Sequence, residues 1–230
     1  MNSEKKILCV ADSLSMPREG VAYEDTWVYM LKKKLPYEVI QRSQRGLTSA
    51  HILKHGEFLE YYSPHTVILQ VGIVDCAPRY MPANSNWLKI INKLPKPAKS
   101  VFWKYFKKYR QRKASYADVT PEQFRKNIEE YCARCLKIGV KEILIIKIAH
   151  PGKAMFGRNP GVLEQIVVYN RIFDEVESRN AGRVYCVNPI PTQNDSLFTE
   201  DGYHLNNAGS KKVTSDLLDV ITRINAAPNV

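Results

Sequence analysis

The sequence predicts a three-layer α/β/α sandwich on a parallel five-stranded sheet, and three observations carry that prediction. Short β-branched runs alternate with longer amphipathic ones along the chain. The clearest of the short runs, TVILQVG and EILIIKI, lack the polar alternation of a sheet with one wet face, so both their faces are expected to be buried. At 230 residues and 26.4 kDa the chain is long enough to bury a large core without staples, and one domain over residues 1–230 is expected.

The expected strands are Lys6–Ala11, Tyr37–Ser43, Thr66–Gly72, Glu142–Ile148 and Arg183–Asn188. Helices are expected over Tyr23–Leu35, Thr48–Tyr61, Pro121–Ile138, Gly161–Asn180 and Asn206–Ala226. The third of these opens on Thr120-Pro121-Glu122, a capping hydroxyl followed by proline at the first helical position. Five strand–helix units with right-handed crossovers imply a flavodoxin-like strand order, 2-1-3-4-5, with ligands outside the carboxyl ends of the strands.

Residues 76–118 depart from this rhythm, placing about forty residues where two to six would suffice. This insertion holds aromatic, basic stretches, NWLKIINK and SVFWKYFKKYRQRK, around LPKPAK. Val101, Tyr105, Lys108 and Arg112, or Phe102, Phe106 and Tyr109, share a helical face there. The net charge of +11 resides in it: residues 86–117 carry ten Lys/Arg and no acidic residue, so the remainder is nearly neutral. Such a segment is expected to attach or steer an anionic partner, an anionic membrane surface included. No nucleic-acid module accompanies the charge, and no nucleic-acid partner is expected.

Five cysteines, mostly in apolar runs, point to reduced thiols and a cytoplasmic protein, peripheral to a membrane if the insertion docks there. No signal peptide or spanning segment is read. Cys132 and Cys135 form a C-x-x-C inside a helical pattern, where core packing is the better reading than redox or metal chemistry. No dinucleotide or Walker motif appears, and neither cofactor nor metal is expected.

Two short motifs carry chemistry. Ala11-Asp12-Ser13-Leu14 places a serine at the end of the first strand, a pattern that also suits an ordinary capped turn. Asp201-Gly202-Tyr203-His204 precedes the last helix; an aspartate three residues before a histidine can hold one ring nitrogen and leave the other to take a serine proton. The topology brings the ends of the first strand and the last loop together. His150 lies after the fourth strand at the same sheet edge, whereas His51, His55 and His65 lack carboxylate partners in the sequence.

Together these blocks resemble the SGNH/GDSL hydrolases over nearly the whole chain except the insertion. The resemblance implies Ser13 as nucleophile, with His204 as base and Asp201 orienting it. Gly46, in SQRGLTSAHIL, matches the glycine whose backbone N–H joins that of Ser13 in an oxyanion hole. The family's Gly-x-Asn-Asp block reads Gly72-Ile73-Val74-Asp75 here, and Val74 cannot donate to an oxyanion. Loss of one such donor costs about 10²–10³ in rate. Arg79 is the expected replacement or a clamp for a substrate carboxylate or phosphate, unless it ties its loop to Asp75 or Asp12. Asp12, Asp75 and His150 complete the residues expected around oxyanion and substrate. The implied activity is ester hydrolysis or O-acyl transfer through an acyl-enzyme, on an acylated glycan or lipid-linked saccharide. The alternative is a degenerate member of the same fold that binds or scaffolds.

Overall fold

The computed structural model describes residues 5–79, 86–113 and 117–226; at 88, 103 and 106–113 it describes the backbone alone. In chain order the elements are β1 (Lys6–Ala11), α1 (Trp27–Lys34), β2 (Glu38–Ser43), α2 (Ser49–Lys54), α3 (Glu57–Tyr62), β3 (Thr66–Gln70), a single turn α4 (Ile73–Cys76), α5 (Asn86–Asn92), α6 (Lys96–Lys113), α7 (Pro121–Lys137), β4 (Glu142–Ile146), α8 (Lys153–Arg158), α9 (Val162–Arg179), β5 (Val184–Val187) and α10 (Asn207–Ala226).

All strand pairs are parallel, in the order β2-β1-β3-β4-β5. Alternate residues of each inner strand enter different cores. Leu8 and Val10 of β1, with Ile143 and Ile145 of β4, pack on one face against α7 and α9. Ile7, Cys9 and Ala11, with Leu144 and Ile146, pack on the other against α1 and α10. Burial on both faces explains why these runs show no polar alternation.

The helices follow their caps. Thr26 Oγ1 accepts the Tyr29 N–H at the start of α1, and Thr120 does the same for Gln123 at 3.3 Å, with Pro121 in the first turn of α7. In α7, Phe124, Ile128, Tyr131, Cys132 and Cys135 are buried at helical spacing, so the two cysteines are core residues, each a free thiol.

Several expectations shift, α1 starting at Trp27 rather than Tyr23 and β4 stopping at Ile146 rather than Ile148 among them. The single helix Thr48–Tyr61 is two, α2 and α3, because Arg134 lies across Gly56 at the break and pairs with Glu60 Oε1 at 2.8 Å. β3 stops at Gln70 rather than Gly72: Gly72 has φ +118°, and a Cβ there would stand 2.7 Å from Ile148 Cδ1. α4 and α8, unanticipated, are short turns at the carboxyl edge of the sheet. The insertion forms α5 and α6, and its ends close on one atom, the Asp75 carbonyl accepting from Asp118 N at 3.0 Å and Val119 N at 3.4 Å. Trp87, Val101 and Tyr105 stand exposed on it, whereas the side chains of Trp103 and of the expected stripe residues Phe106, Lys108, Tyr109 and Arg112 lie outside the described residues.

Candidate active site

The site forms where β1 meets the loop before α10. After Ala11 the ladder continues one step, Asp12 N–H donating to Gln70 O at 3.0 Å. Buried Asp12 then caps a 3₁₀ turn over Ser13–Ser15, its Oδ1 accepting the Leu14 N–H at 2.8 Å. Ser15 Oγ donates to Asp12 O and lies 2.8 Å from Ser43 Oγ, fixing the serine turn to β2.

The other half is equally constrained. Asn206 Nδ2 donates to Ser196 O and Phe198 O, its Oδ1 accepts from Gly209 N, and Thr199 N donates to His204 O at 2.8 Å. Gly202, with φ +75°, lets this loop approach α8 so closely that a Cβ would stand 2.7 Å from Met155 N.

Across 191 residues the two halves meet: Ser13 Oγ is 3.0 Å from His204 Nε2. His204 Nδ1 is 2.5 Å from Asp201 Oδ2, and Asp201 Oδ1 accepts the backbone N–H groups of Tyr203 and His204 at 3.0 and 2.9 Å. Burial alone would raise the Asp201 pKa, but these hydrogen bonds outweigh it and hold the carboxyl down at about 2. Ionised Asp201 is acceptor-only, so Nδ1 carries the proton and donates, leaving the Nε2 lone pair for the Ser13 hydroxyl. Burial lowers the His204 pKa, and the hydrogen bond it donates to Asp201 only partly restores it.

That direction sets a pH dependence. Only a neutral imidazole can take the Ser13 proton, so an ester kcat/KM that depends on this pair is expected to be level at neutral pH and above. It falls as pH drops through a midpoint below the ordinary histidine value of 6.5. An acidic limb centred above 6.5 would contradict this arrangement.

Arg18, which no spacing singled out, bridges both halves: its Nη2 donates to Ser13 O at 3.1 Å and its Nη1 lies 3.6 Å from Asp201 Oδ2. The cleft beside Ser13, about 360 Å³, is walled by Gly46, Ile73, Val74, Ala77, Arg79, Met155, Arg158, Asn159 and Tyr203. Among the described residues neither the Ser13 nor the Gly46 amide N–H donates to a protein acceptor. Val74, from α4, presents only methyl groups. Arg79 Nε stands 2.7 Å from Asp118 Oδ2, so its loop is tied to Asp118 and not to Asp75 or Asp12.

Three residues expected around the substrate do not line this cleft. Asp12 is wholly buried as the cap of the serine turn. Burial raises its pKa to about 7, the Leu14 N–H opposing the rise. Asp75 is also wholly buried, and its Oδ1 accepts Ser49 N and Ser49 Oγ at 2.8 and 2.7 Å at the start of α2; burial raises its pKa to about 6 against those bonds. His150 turns back on its own chain, its N–H donating to Ile190 O and its Nδ1 lying 2.9 Å from Pro151 O.

Among the described residues one group has metal-ligand proximity, Asp174, Glu177 and Cys186. None of the three lines the cleft beside Ser13; Asp174 pairs with Lys147 at 2.7 Å and Glu177 accepts the Cys186 N–H.

By sequence the chain matches no family model and no curated protein. Solved structures with the same architecture are found. A GDSL-like lipase from Bacteroides thetaiotaomicron superposes with TM-score 0.62 at 16% identity, covering 97% of this chain and 90% of that one. A catalytic mutant of an acetylxylan esterase from Geobacillus stearothermophilus gives 0.63 at 14% identity, over 96% and 95%. The chain has the SGNH/GDSL hydrolase fold. A carbohydrate acetylesterase family member from Sinorhizobium meliloti gives 0.60 at 16% identity, over 97% of this chain and all of that one. On the SGNH/GDSL fold of this chain the site stands at the carboxyl edge of β1 and β3, the edge where open α/β sheets bind ligands.

Proposed function

We propose that the protein is a serine ester hydrolase that works through an acyl-enzyme on Ser13. The observation that carries this reading is the hydrogen-bonded chain from Ser13 Oγ through both ring nitrogens of His204 to Asp201. Ser13 Oγ attacks the ester carbonyl while its proton passes to His204 Nε2. The oxyanion so formed takes the Ser13 and Gly46 amide N–H groups, and Asp201 stabilises the imidazolium without taking its proton. His204 returns the proton to the departing alcohol, then activates the water that releases the acid. A sugar hydroxyl in place of that water makes the reaction an O-acyl transfer, and product analysis separates the two. The likeness to an acetylxylan esterase and to a carbohydrate acetylesterase family member supports an O-acylated glycan as substrate.

A fluorophosphonate probe tests the reading. The expected result is one adduct by intact mass, located on Ser13 and absent from Ser13→Ala. A folded protein that takes no label favours the binding or scaffolding alternative, to which the absent side-chain donor at Val74 points.

The insertion supports a peripheral membrane contact. Trp87, Ile90, Val101 and Tyr105 are 54–77% exposed beside basic residues with no acidic neighbour in the segment. Aromatic and aliphatic side chains bury at a bilayer interface while Lys and Arg meet anionic headgroups, at about 1 kcal/mol per engaged residue. No described helix is long and apolar enough to cross a membrane. Sedimentation with anionic vesicles at low salt is expected to carry the protein down and neutral vesicles to leave it in solution. Binding should weaken with added salt and be lost on excision of 86–117; absence of sedimentation at low salt would refute the contact.

A further inference from the structure

The cleft beside Ser13 holds a pair of arginines that the triad does not use. Arg79 and Arg158 both line it, one from the segment after α4 and the other from the end of α8, 79 residues apart in sequence. The two segments are locked to each other: Asn159, the residue that ends α8 and 2% exposed, donates through Nδ2 to the Pro78 carbonyl at 3.0 Å. Each partner in that buried hydrogen bond is the immediate neighbour of one arginine, so the spacing of the two guanidinium-bearing backbones is set before any ligand arrives.

Among the described residues neither fork is consumed by its contacts. The Arg79 ion pair with Asp118 engages Nε, and no described residue accepts from its two Nη groups. Arg158 is placed by carbonyls alone, Nε donating to Ala154 O at 3.1 Å and Nη2 to Asp201 O. No described carboxylate lies within ion-pair distance of it. Carbonyls orient a guanidinium without cancelling its charge, which a planar oxyanion group from a ligand would do through paired N–H···O bonds. Arg18 differs in that both its Nη groups are engaged, Nη1 by Asp201 Oδ2 and Nη2 by the Ser13 carbonyl. Nearby, α6 packs against α8, bringing the basic insertion beside the helix that carries Arg158 and adding a positive field at the cleft.

We infer that the ester processed at Ser13 carries an anionic group, phosphate or carboxylate, held between Arg79 and Arg158. This rests on the serine hydrolase reading and narrows its substrate from acyl esters in general to acidic ones. The fork geometry is common to both anions, and the assay decides between them.

The test compares 4-acetoxyphenyl phosphate and 4-acetoxybenzoate with the neutral methyl 4-acetoxybenzoate, following phenol release and dividing each kcat/KM by the rate of hydroxide hydrolysis. An anionic ester is expected to be favoured at least about 30-fold at low ionic strength, through KM, the better of the two identifying the anion. Arg158→Gln and Arg79→Gln should each reduce that preference at least about fivefold, and Arg158→Lys should not restore it in full. A preference under about threefold, or one that both glutamine variants leave unchanged, overturns the inference. Titration of Ser13→Ala with phenyl phosphate and benzoate separates the two readings. Arginine-dependent binding without turnover of any ester by the parent would retain the anion site and discard the hydrolase. Turnover without preference and without anion binding would retain the hydrolase and discard the anion site.

Discussion

Ser13→Ala and His204→Ala are each expected to lower kcat on an ester substrate by at least about 10⁴-fold, and the double variant to be little worse than either. The serine hydroxyl is a poor nucleophile until its proton has somewhere to go, and among the described residues the base placed to take it is His204 Nε2, 3.0 Å away. Once either member is gone the other has no reaction to assist, so the losses do not add. Ser13 sits on a turn whose bonds run through Asp12 and Ser15, not through its own hydroxyl, so Ser13→Ala should keep the parent's melting temperature. The measurement is steady-state turnover beside thermal unfolding. Folded single variants with turnover near the parent's would refute the mechanism.

Val74→Asn is expected to raise kcat by about 10- to 10²-fold, reversing part of what one oxyanion donor is worth. Val74 stands in the wall of the cleft with Ser13 on the one-turn α4, which Gly72 orients. The side chain packs partly against the core, so the amide should cost about 1–2 kcal/mol of stability, readable as a lower melting temperature. The comparison is kcat for parent, Val74→Asn, Arg79→Ala and the double variant. A gain below about threefold in the parent, with recovery in the Arg79→Ala background, would mean that Arg79 already supplies the oxyanion with its missing partner. No gain in either background would show that the cleft does not present residue 74 to the developing charge.

Much of this site was legible because its parts are local. An aspartate capping the turn that bears Ser13, and Asp201 three residues before His204, are short-range patterns whose hydrogen bonds close within three residues. The strands were legible for a related reason: a run buried on both faces has no position left for a polar residue, so TVILQVG and EILIIKI announce themselves. Strand order followed from the alternation of these runs with helices, and with it the meeting of the first strand and the last loop.

Other roles were set by neighbours distant in sequence. Asp75 reads as a carboxylate poised at the sheet edge, but folding buries it and hands it the Ser49 N–H and hydroxyl, making it a helix cap. Arg18, Arg158 and Asn159 have no motif around them, since each acts only where separate loops come to rest together: Arg18 between Ser13 and Asp201, Asn159 against Pro78. Thr48–Tyr61 reads as one helix, yet Arg134 from α7 crosses it at Gly56. The sequence by itself determined the layers, the strand order and the two local motifs that hold Ser13, Asp201 and His204, because burial period and short-range hydrogen bonding are properties of neighbouring residues. Only the tertiary structure decided which charges face the cleft and which are spent inside the protein, because desolvation and ion pairing depend on what the folded chain packs against each group.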